Sequence, residues 1–377
     1  MNSYAVSRPL VMKFGSLGDV VQLTALIRQL NARFRVPVDL VSSGAWTRPL
    51  LEGQPGVGEI HIVRSRRAPF WLSRDQQRVA LWLLARPAGP VWSCDFELSR
   101  RFLARAGLPA ARICDAGAFP VHPEERMVER WVRFGCATPA AYGSDLQDDT
   151  PRVPAASHLV VGAARVADCD AWLHRRGLRG RPIVAIQAGN KRTMRLGPRR
   201  RPSNTKYWPE ERWGAVLGAV RDRRPGHAIV LLGVERERAL NDDIIRAAKI
   251  ADVCNAAGDL PIPRLMALLQ RAESTISVDT GPAHVAAAVG CPVIVLFGAA
   301  DPVVNQPSAT DTQVTALTAT VDGSPNILGI TAAQVIDAWL QLSRGTTIAA
   351  AVGEGRSQGT LTYIARRAEG PVRRRAI

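Results

Sequence analysis

The sequence predicts an α/β protein built from two doubly wound halves. Strand-like and helical segments alternate along most of the chain, which implies parallel sheets covered on both faces. The strand-like segments are short apolar runs rather than alternating ones, as expected for strands buried on both sides. A polar, proline-rich stretch, "SDLQDDTPRVPAAS" (144–157), closes one series before a second begins. With 377 residues, 46% of them hydrophobic, the chain is long enough for two cores.

The first series opens with "RPLVMKF", a strand that ends at the turn "GSLGD". Val20, Val21, Leu23, Leu26, Ile27 and Leu30 then recur at helical spacing. "VPVDLVSS" reads as a strand, "AWTRPLLEG" as a short helix and "GEIHIV" as a strand. Residues 70–86 read as a helix, "GPVWSCDF" as a strand, and "HPEERMVERWVRFG" as a helix stopped by its glycine. The second series starts with the helix "ADCDAWLHRRGL" and the strand "RPIVAIQAG". It continues through the helix "WPEERWGAVLGAVRDR", the strand "HAIVLLG", the helix "ERERALNDDIIRAAK" and a short strand in "IADVCNAAG". The helix "PIPRLMALLQRA", the strand "STISVD", the helix "PAHVAAAV" and the strand "CPVIVLFG" complete it, and "TAAQVIDAWLQLSR" (331–344) is a last helix. We place the halves at 1–177 and 178–344. Residues 345–377, rich in Gly, Ala and Arg, form a basic tail expected to be disordered.

No run approaches the length of a membrane span, and residues 1–14 lack a signal-peptide pattern. The six cysteines are scattered without a CxxC, which fits reduced thiols in a cytoplasmic protein and no zinc site. The formal charge of +16 favours an anionic partner: nucleic acid, a phosphorylated sugar or an anionic membrane face. Zinc-finger spacing, an RRM-type aromatic motif and an extended basic helix are all missing, so no specific nucleic acid is expected. Much of the charge sits in "RLGPRRRP" (195–202) and in the tail, where solubility alone would account for it.

Ligands of open α/β sheets bind beyond the carboxyl ends of the strands, so the loops there carry the chemistry. In "ISVDTGPAHVAAAVGCPVIVLFG" (276–298) a strand delivers Asp279, Thr280 and Gly281 to a helix with Pro282 in its first turn. A helix start presents free N–H groups, which suits an anion; Thr280 adds a hydroxyl, Gly281 allows close approach, and His284 lies in the same turn. The Asp-Thr-Gly of aspartic proteases is a poor match, because an alanine-rich helix follows it. The competing reading is a plain turn, with Asp279 as a cap and His284 as a core residue.

In "MKFGSLGDVVQ" (12–22), Gly15 and Gly18 bracket a tight turn and Asp19 begins a helix. The spacing is not that of a dinucleotide site. Asp19 is either a helix N-terminal acid or a general base facing the cleft. Lys206, in "NTKYWPEERW", precedes a helix and could reach phosphates; a solvated lysine is the alternative. Glu235 or Glu237, in "LLGVERERAL", follows a strand and could accept hydrogen bonds from a ribose. Asp168-Cys169-Asp170 has the D-x-D form of metal-dependent sugar transferases, but it opens a helix and reads as a cap.

These segments resemble glycosyltransferase family 9, the ADP-heptose:lipopolysaccharide heptosyltransferases, over roughly residues 8–340. The resemblance is carried by "FGSLGDVVQLTALIRQL", "KYWPEERW" and "AAGDLPIPRLMALLQRAESTISVDTGPAHVAAAVGCPVIVLFGAADP". It implies a GT-B fold: two Rossmann-like domains facing a central cleft, with a last helix crossing back. It further implies that Asp19 is the general base and that Lys206 holds the donor phosphates. Asp279, Thr280, Gly281 and His284 would lie at the donor diphosphate, with Glu237 at the donor ribose and Glu235 as the rival. Gly15 and Gly18 would shape the acceptor-side loop. The implied reaction is inverting transfer of a heptose or related sugar from ADP-heptose to a lipopolysaccharide core or related glycan, without a metal or other cofactor. The partners are then a nucleotide-sugar donor, an anionic glycolipid or glycan acceptor and an anionic membrane touched peripherally, at the cytoplasmic side of the inner membrane. Ala25 stands where many members have proline, and the segment 190–205 is longer and more basic than usual. A sugar-nucleotide epimerase or hydrolase of the same fold, and a basic nucleic-acid- or membrane-binding protein, are the alternative readings.

Overall fold

The computed structural model describes residues 7–95, 97–146, 152–190, 192–193 and 198–351. Its first half holds β1 (Leu10–Lys13), α1 (Leu17–Phe34), β2 (Val38–Ser42), α2 (Thr47–Leu51), β3 (Val57–Ile62), α3 (Arg74–Ala85), β4 (Val91–Ser93), α4 (Leu98–Arg105), β5 (Ile113–Asp115) and α5 (Met127–Gly135). Its second half holds α6 (Ala163–Arg175), β6 (Ile183–Gln187), α7 (Glu210–Arg223), β7 (Ala228–Leu231), α8 (Arg238–Ala248), β8 (Val253–Asn255), α9 (Ile262–Arg271), β9 (Ser274–Val278), α10 (Gly281–Ala288), β10 (Val293–Leu296), α11 (Pro302–Asn305), β11 (Val314–Leu317) and α12 (Ala332–Ala351). A small antiparallel ribbon, β12 (Thr320–Val321) and β13 (Ser324–Pro325), precedes α12.

Both large sheets are wholly parallel. The first has the order β3-β2-β1-β4-β5 and the second β11-β10-β9-β6-β7-β8. Leu10 of β1 registers with Asp39 of β2 on one side and Val91 of β4 on the other. The winding therefore reverses between β1 and β4, and likewise between β6 and β9. Crevices open at such reversals because the helices on either side diverge to opposite faces.

Packing follows from strands apolar on both faces. On the first sheet, Val79, Ala80 and Leu83 of α3 and Phe102 and Leu103 of α4 cover Leu10, Met12 and Val41. On the opposite face α1 and α5 pack, and α1 runs directly onto α10 of the second half, so one buried cluster spans both halves. The far side of the second sheet is closed by α7, α8 and α12. Trp208 Nε1 donates to Ile330 O (2.9 Å) and Trp339 Nε1 to Ser274 Oγ (3.1 Å), which fixes α7 and α12 there.

Three expectations are corrected. Helix α6, which the 177/178 boundary assigns to the first half, packs on α9 of the second, with Cys169, Trp172 and Leu173 buried. Helical spacing carries no information about which sheet a helix covers. The connecting segment instead runs along the seam: His158 N donates to Thr24 Oγ1 (3.1 Å) and Leu159 N to Ala288 O (2.8 Å). The last helix packs on α7, β9 and β10 of the second sheet, where a helix crossing back to the first half was expected. It continues to Ala351, seven residues into the segment assigned to a disordered tail; residues 352–377 lie outside the described residues.

The seam between the halves is close because α10 is mostly alanine and because two glycines sit where the helix starts meet. A Cβ on Gly281 would stand 2.8 Å from Leu17 Cβ, and one on Gly18 2.8 Å from His284 Cδ2. Gly281→Ala is therefore expected to destabilise the protein by about 1–3 kcal/mol. Gly218→Ala, on open helix surface, is expected to stabilise it by about 0.5–1 kcal/mol. Urea unfolding of the two variants checks the opposite signs.

Candidate active site

Four of the sequence-singled loops leave the carboxyl ends of β1, β6, β7 and β9, and the seam brings the first and last of them together. The turn after β1 ends at Ser16, the N-cap of α1. Ser16 N and Ser16 Oγ both donate to Asp19 Oδ2, at 2.6 and 2.8 Å. Asp19 is thus held by the helix start, as a first-turn acid is expected to be, and among the described residues Oδ1 takes no hydrogen bond. Gly15 leaves room for this carboxylate: a Cβ there would lie 2.7 Å from Asp19 Cβ.

Opposite, Thr280 is the N-cap of α10 and Gly281 and Pro282 form its first turn. Asp279 is buried, and its backbone O accepts from Lys206 Nζ at 2.9 Å while Oδ2 accepts from the same amine. Lys206 therefore reaches across from the loop after β6 to the end of β9, the neighbouring strand. Its side chain is 36% exposed. The loop that carries it is tied by Asn204 Nδ2, which donates to Asn190 Oδ1 and Thr193 Oγ1, both at 3.1 Å.

His284 is buried against Gly18, and its Nδ1 has no hydrogen-bond partner. Burial pushes its pKa below the ordinary imidazole value, against the pull of the Asp279 and Asp19 carboxylates. The neutral ring is consequently the resting form. Among the described residues neither ring nitrogen finds a hydrogen-bond partner, and a neutral imidazole carries one donor and one acceptor for the seam.

Glu235 and Glu237 are separated by the structure. Glu235 is largely exposed and pairs with Arg238 at 2.8 and 2.9 Å. Glu237 is buried beneath the loop after β6: a Cβ on Gly189 would stand 2.4 Å from Glu237 Oε1. Its Oε2 accepts from Val234 N (2.9 Å) and Gln187 Nε2 (3.5 Å), while Oε1 has no partner. Burial pushes its pKa up, against those two donors. A buried carboxylate oxygen without a partner at a strand end is suited to accept a ligand hydroxyl.

The sequence reading missed the groups that brace the Asp19 turn. Asp95, just past β4, accepts from Phe14 N and from Ser99 Oγ (2.9 Å) and pairs with Lys13 at 3.0 Å. Arg66 Nη1 donates to Phe14 O (2.8 Å) and Ser43 Oγ (3.2 Å). An acid immediately after a strand, in "SCDF", was the available signal for Asp95. The D-x-D reading also changes. Asp168 and Asp170 lie inside α6 rather than at its cap and pair with Arg264 and Arg271 of α9. Among the described residues no group of three His, Cys, Asp or Glu is placed to hold a metal. Part of the basic insertion is structural: buried Arg201 pairs with Glu210 (2.7 Å) and Asp243.

The sequence model of glycosyltransferase family 9 (heptosyltransferase) matches residues 120–325. The chain is 36% identical over 104 residues to lipopolysaccharide heptosyltransferase 3 of Escherichia coli, a match spanning 27% of this chain and 30% of that protein's length. It is 25% identical over 310 residues to lipopolysaccharide heptosyltransferase 2 of Salmonella typhimurium, covering 76% of this chain and 81% of that one. Among solved structures, E. coli heptosyltransferase WaaC with ADP superposes with a TM-score of 0.65 at 18% identity, over 89% of this chain and 99% of that chain. The shared architecture is GT-B, with two Rossmann-like halves about a cleft.

The neutral, buried His284 gives stability a pH dependence of known sign. The unfolded chain binds a proton near the ordinary value of 6.5 while the folded chain resists it, so stability falls as pH drops below that value. Between about pH 7 and about pH 5.5 the wild type is expected to lose more stability than His284→Gln, by up to roughly 1.4 kcal/mol per pH unit, and its thermal midpoint to fall further. Paired thermal scans check it.

Proposed function

The chain belongs to glycosyltransferase family 9, the heptosyltransferase family, and from that premise we propose that it moves a heptose or related sugar from ADP-heptose to a lipopolysaccharide core or related glycan. The transfer inverts the anomeric centre and uses no metal. The observation that carries this reading is the facing of two helix starts across one seam, Asp19 on the first and the Lys206–Asp279 pair beside the second.

Each residue then has a task its surroundings suit. Glu237 Oε1 accepts hydrogen bonds from the donor ribose. Lys206 turns from Asp279 to the donor diphosphate, and the N–H groups of Thr280 and Gly281 at the start of α10 face the same anion. As the glycosidic bond breaks, negative charge grows on the leaving diphosphate, where a fixed ammonium and a helix start stabilise it more than they do the ground state. His284, neutral, adds a hydrogen bond at this point without competing for the acidic proton. On the other side of the sugar, Asp19 Oδ1 takes the proton from the acceptor hydroxyl while Ser16 holds Oδ2. Base and leaving group on opposite sides of the anomeric carbon give inversion. The ADP in the similar WaaC structure supports an adenosine nucleotide as the leaving group. A glycolipid acceptor places the protein at the cytoplasmic face of the inner membrane.

Asp19→Asn keeps the bonds from Ser16 but removes the base. Sugar transfer is expected to fall by about 10²–10⁴-fold, with ADP affinity, read by calorimetry, within about twofold because the donor wall is untouched. Lys206→Ala is expected to weaken ADP binding instead. Near-wild-type turnover in Asp19→Asn sinks the assignment, and equal release of free sugar with and without acceptor marks a hydrolase.

A further inference from the structure

The outer face of the first half carries a surface the cleft chemistry does not use. Trp71 and Leu72, in the 3-10 turn before α3, are 74% and 63% exposed, and Leu81 and Leu84 of α3 are 68% and 61% exposed. These four are half of the large hydrophobic side chains exposed among the described residues, and they fall within fourteen residues of sequence. Gln77 Nε2 donates to Phe70 O (3.1 Å) and Trp71 O (2.9 Å), fastening the turn onto α3. Gln77, Leu81 and Leu84 are spaced i, i+4, i+7, so the pinned turn and the two leucines share one side of the helix. Buried Val79, Ala80 and Leu83 occupy the other.

Arginines flank this patch. Arg64, Arg67, Arg74 and Arg78 are exposed and form no ion pair among the described residues. Of the acids at α3, Glu59 is taken up by Trp82 Nε1 (3.1 Å) and His61 (3.1 Å), and Asp75 is turned inward. Burial works against its charge, but Ser65 and Ser73 hydroxyls and the N–H groups of Arg64 and Ser65 hold its pKa well below the usual range. It serves as an anchor for the loop and stays ionised. An apolar centre flanked by unpaired arginines matches the interface of an anionic bilayer, which offers acyl chains to the first and phosphates to the second. Phe70 packs edge-on against Phe102, and Phe102 against Phe14, so packed rings connect the turn that begins the patch to the turn that leads to Asp19.

We propose that the face formed by Trp71, Leu72, Leu81 and Leu84 with Arg74 and Arg78 docks the protein on the surface of an anionic lipid bilayer. This rests on the reading of the site as one that takes a membrane-borne acceptor, and it moves the expected membrane contact from the basic tail to α3.

The test is co-sedimentation of the full chain with glycan-free vesicles of phosphatidylethanolamine and phosphatidylglycerol, against vesicles of phosphatidylcholine alone. The wild type is expected to bind the anionic vesicles and to be weakened by salt. Leu81→Ser/Leu84→Ser is expected to lower the partition coefficient by at least about tenfold, and each of Arg74→Gln and Arg78→Gln by about fivefold. ADP affinity of every variant is expected to match the wild type, which shows the fold and donor site intact. Wild-type vesicle binding by Leu81→Ser/Leu84→Ser, or its loss of a concentration-dependent dimer with no change in vesicle binding, overturns the proposal. Because the vesicles carry no acceptor, failed sugar transfer with intact vesicle binding would count against the reading of the site and leave the docking face standing.

Discussion

The close crossing of α1 and α10 is the constraint on which the rest of the structure depends. Each helix follows a strand at which its sheet reverses winding, so each start is already a place where ligands can approach backbone N–H groups. Bringing those two starts together makes one site out of two crevices. The approach is possible only because the facing surfaces are small: Gly18 lies under the His284 ring, Gly281 under Leu17, and α10 presents Ala283 and Ala286–Ala288. Bulk at any of these would wedge the halves apart and separate Asp19 from the Lys206 side of the site.

Electrostatic order on the two sides differs in kind. On the α10 side a lysine and a buried aspartate neutralise one another, an arrangement that tolerates burial because each supplies the other's partner. Under the proposed donor reading, an arriving diphosphate would take the ammonium while Asp279 keeps its place beside His284. On the α1 side the acid is held only through one oxygen, by its own helix cap. A carboxylate fixed in position yet incompletely satisfied is what a proton acceptor needs. The cap and the catalytic readings of Asp19 are therefore compatible: the cap supplies the orientation.

How legible this was in the sequence varies with the kind of interaction. The alternation of elements, both strand–turn–helix corners and the placement of Lys206 before α7 follow from local patterns, and the structure has them where the patterns put them. Residues 98–121 show no clear pattern because α4 and β5 are short and their apolar faces meet only after folding. Glu235 and Glu237 could not be separated by spacing, since both follow β7; burial under Gly189 distinguishes them, and Gly189 belongs to another strand's loop. Asp95 and Arg66 brace the Asp19 turn from 81 and 52 residues away along the chain, measured from Phe14. Long-range contacts of that kind leave no periodicity. Asp168 and Asp170 misled for a related reason: they sit near a helix start in the sequence but inside a longer helix in the fold.

The same distinction governs the meaning of the +16 charge. Many arginines are consumed by the fold. Arg130 donates to the carbonyls of Ala116 and Phe119, Arg212 to those of Leu328 and Ile330, and Arg86 to Asp39 and to Arg8 O. Arg201 ties the insertion to α7 and α8. Such guanidinium groups add to the net charge while binding nothing outside the chain, because a planar fork of donors suits carbonyl oxygens at loop ends. Net charge alone thus overstates the surface available to an anionic partner. What points to a partner is charge left exposed and unpaired beside apolar surface, and among the described residues α3 and its preceding loop combine the two. That surface lies on the face of the first sheet opposite α1 and the seam, so it can meet a partner without competing with the cleft.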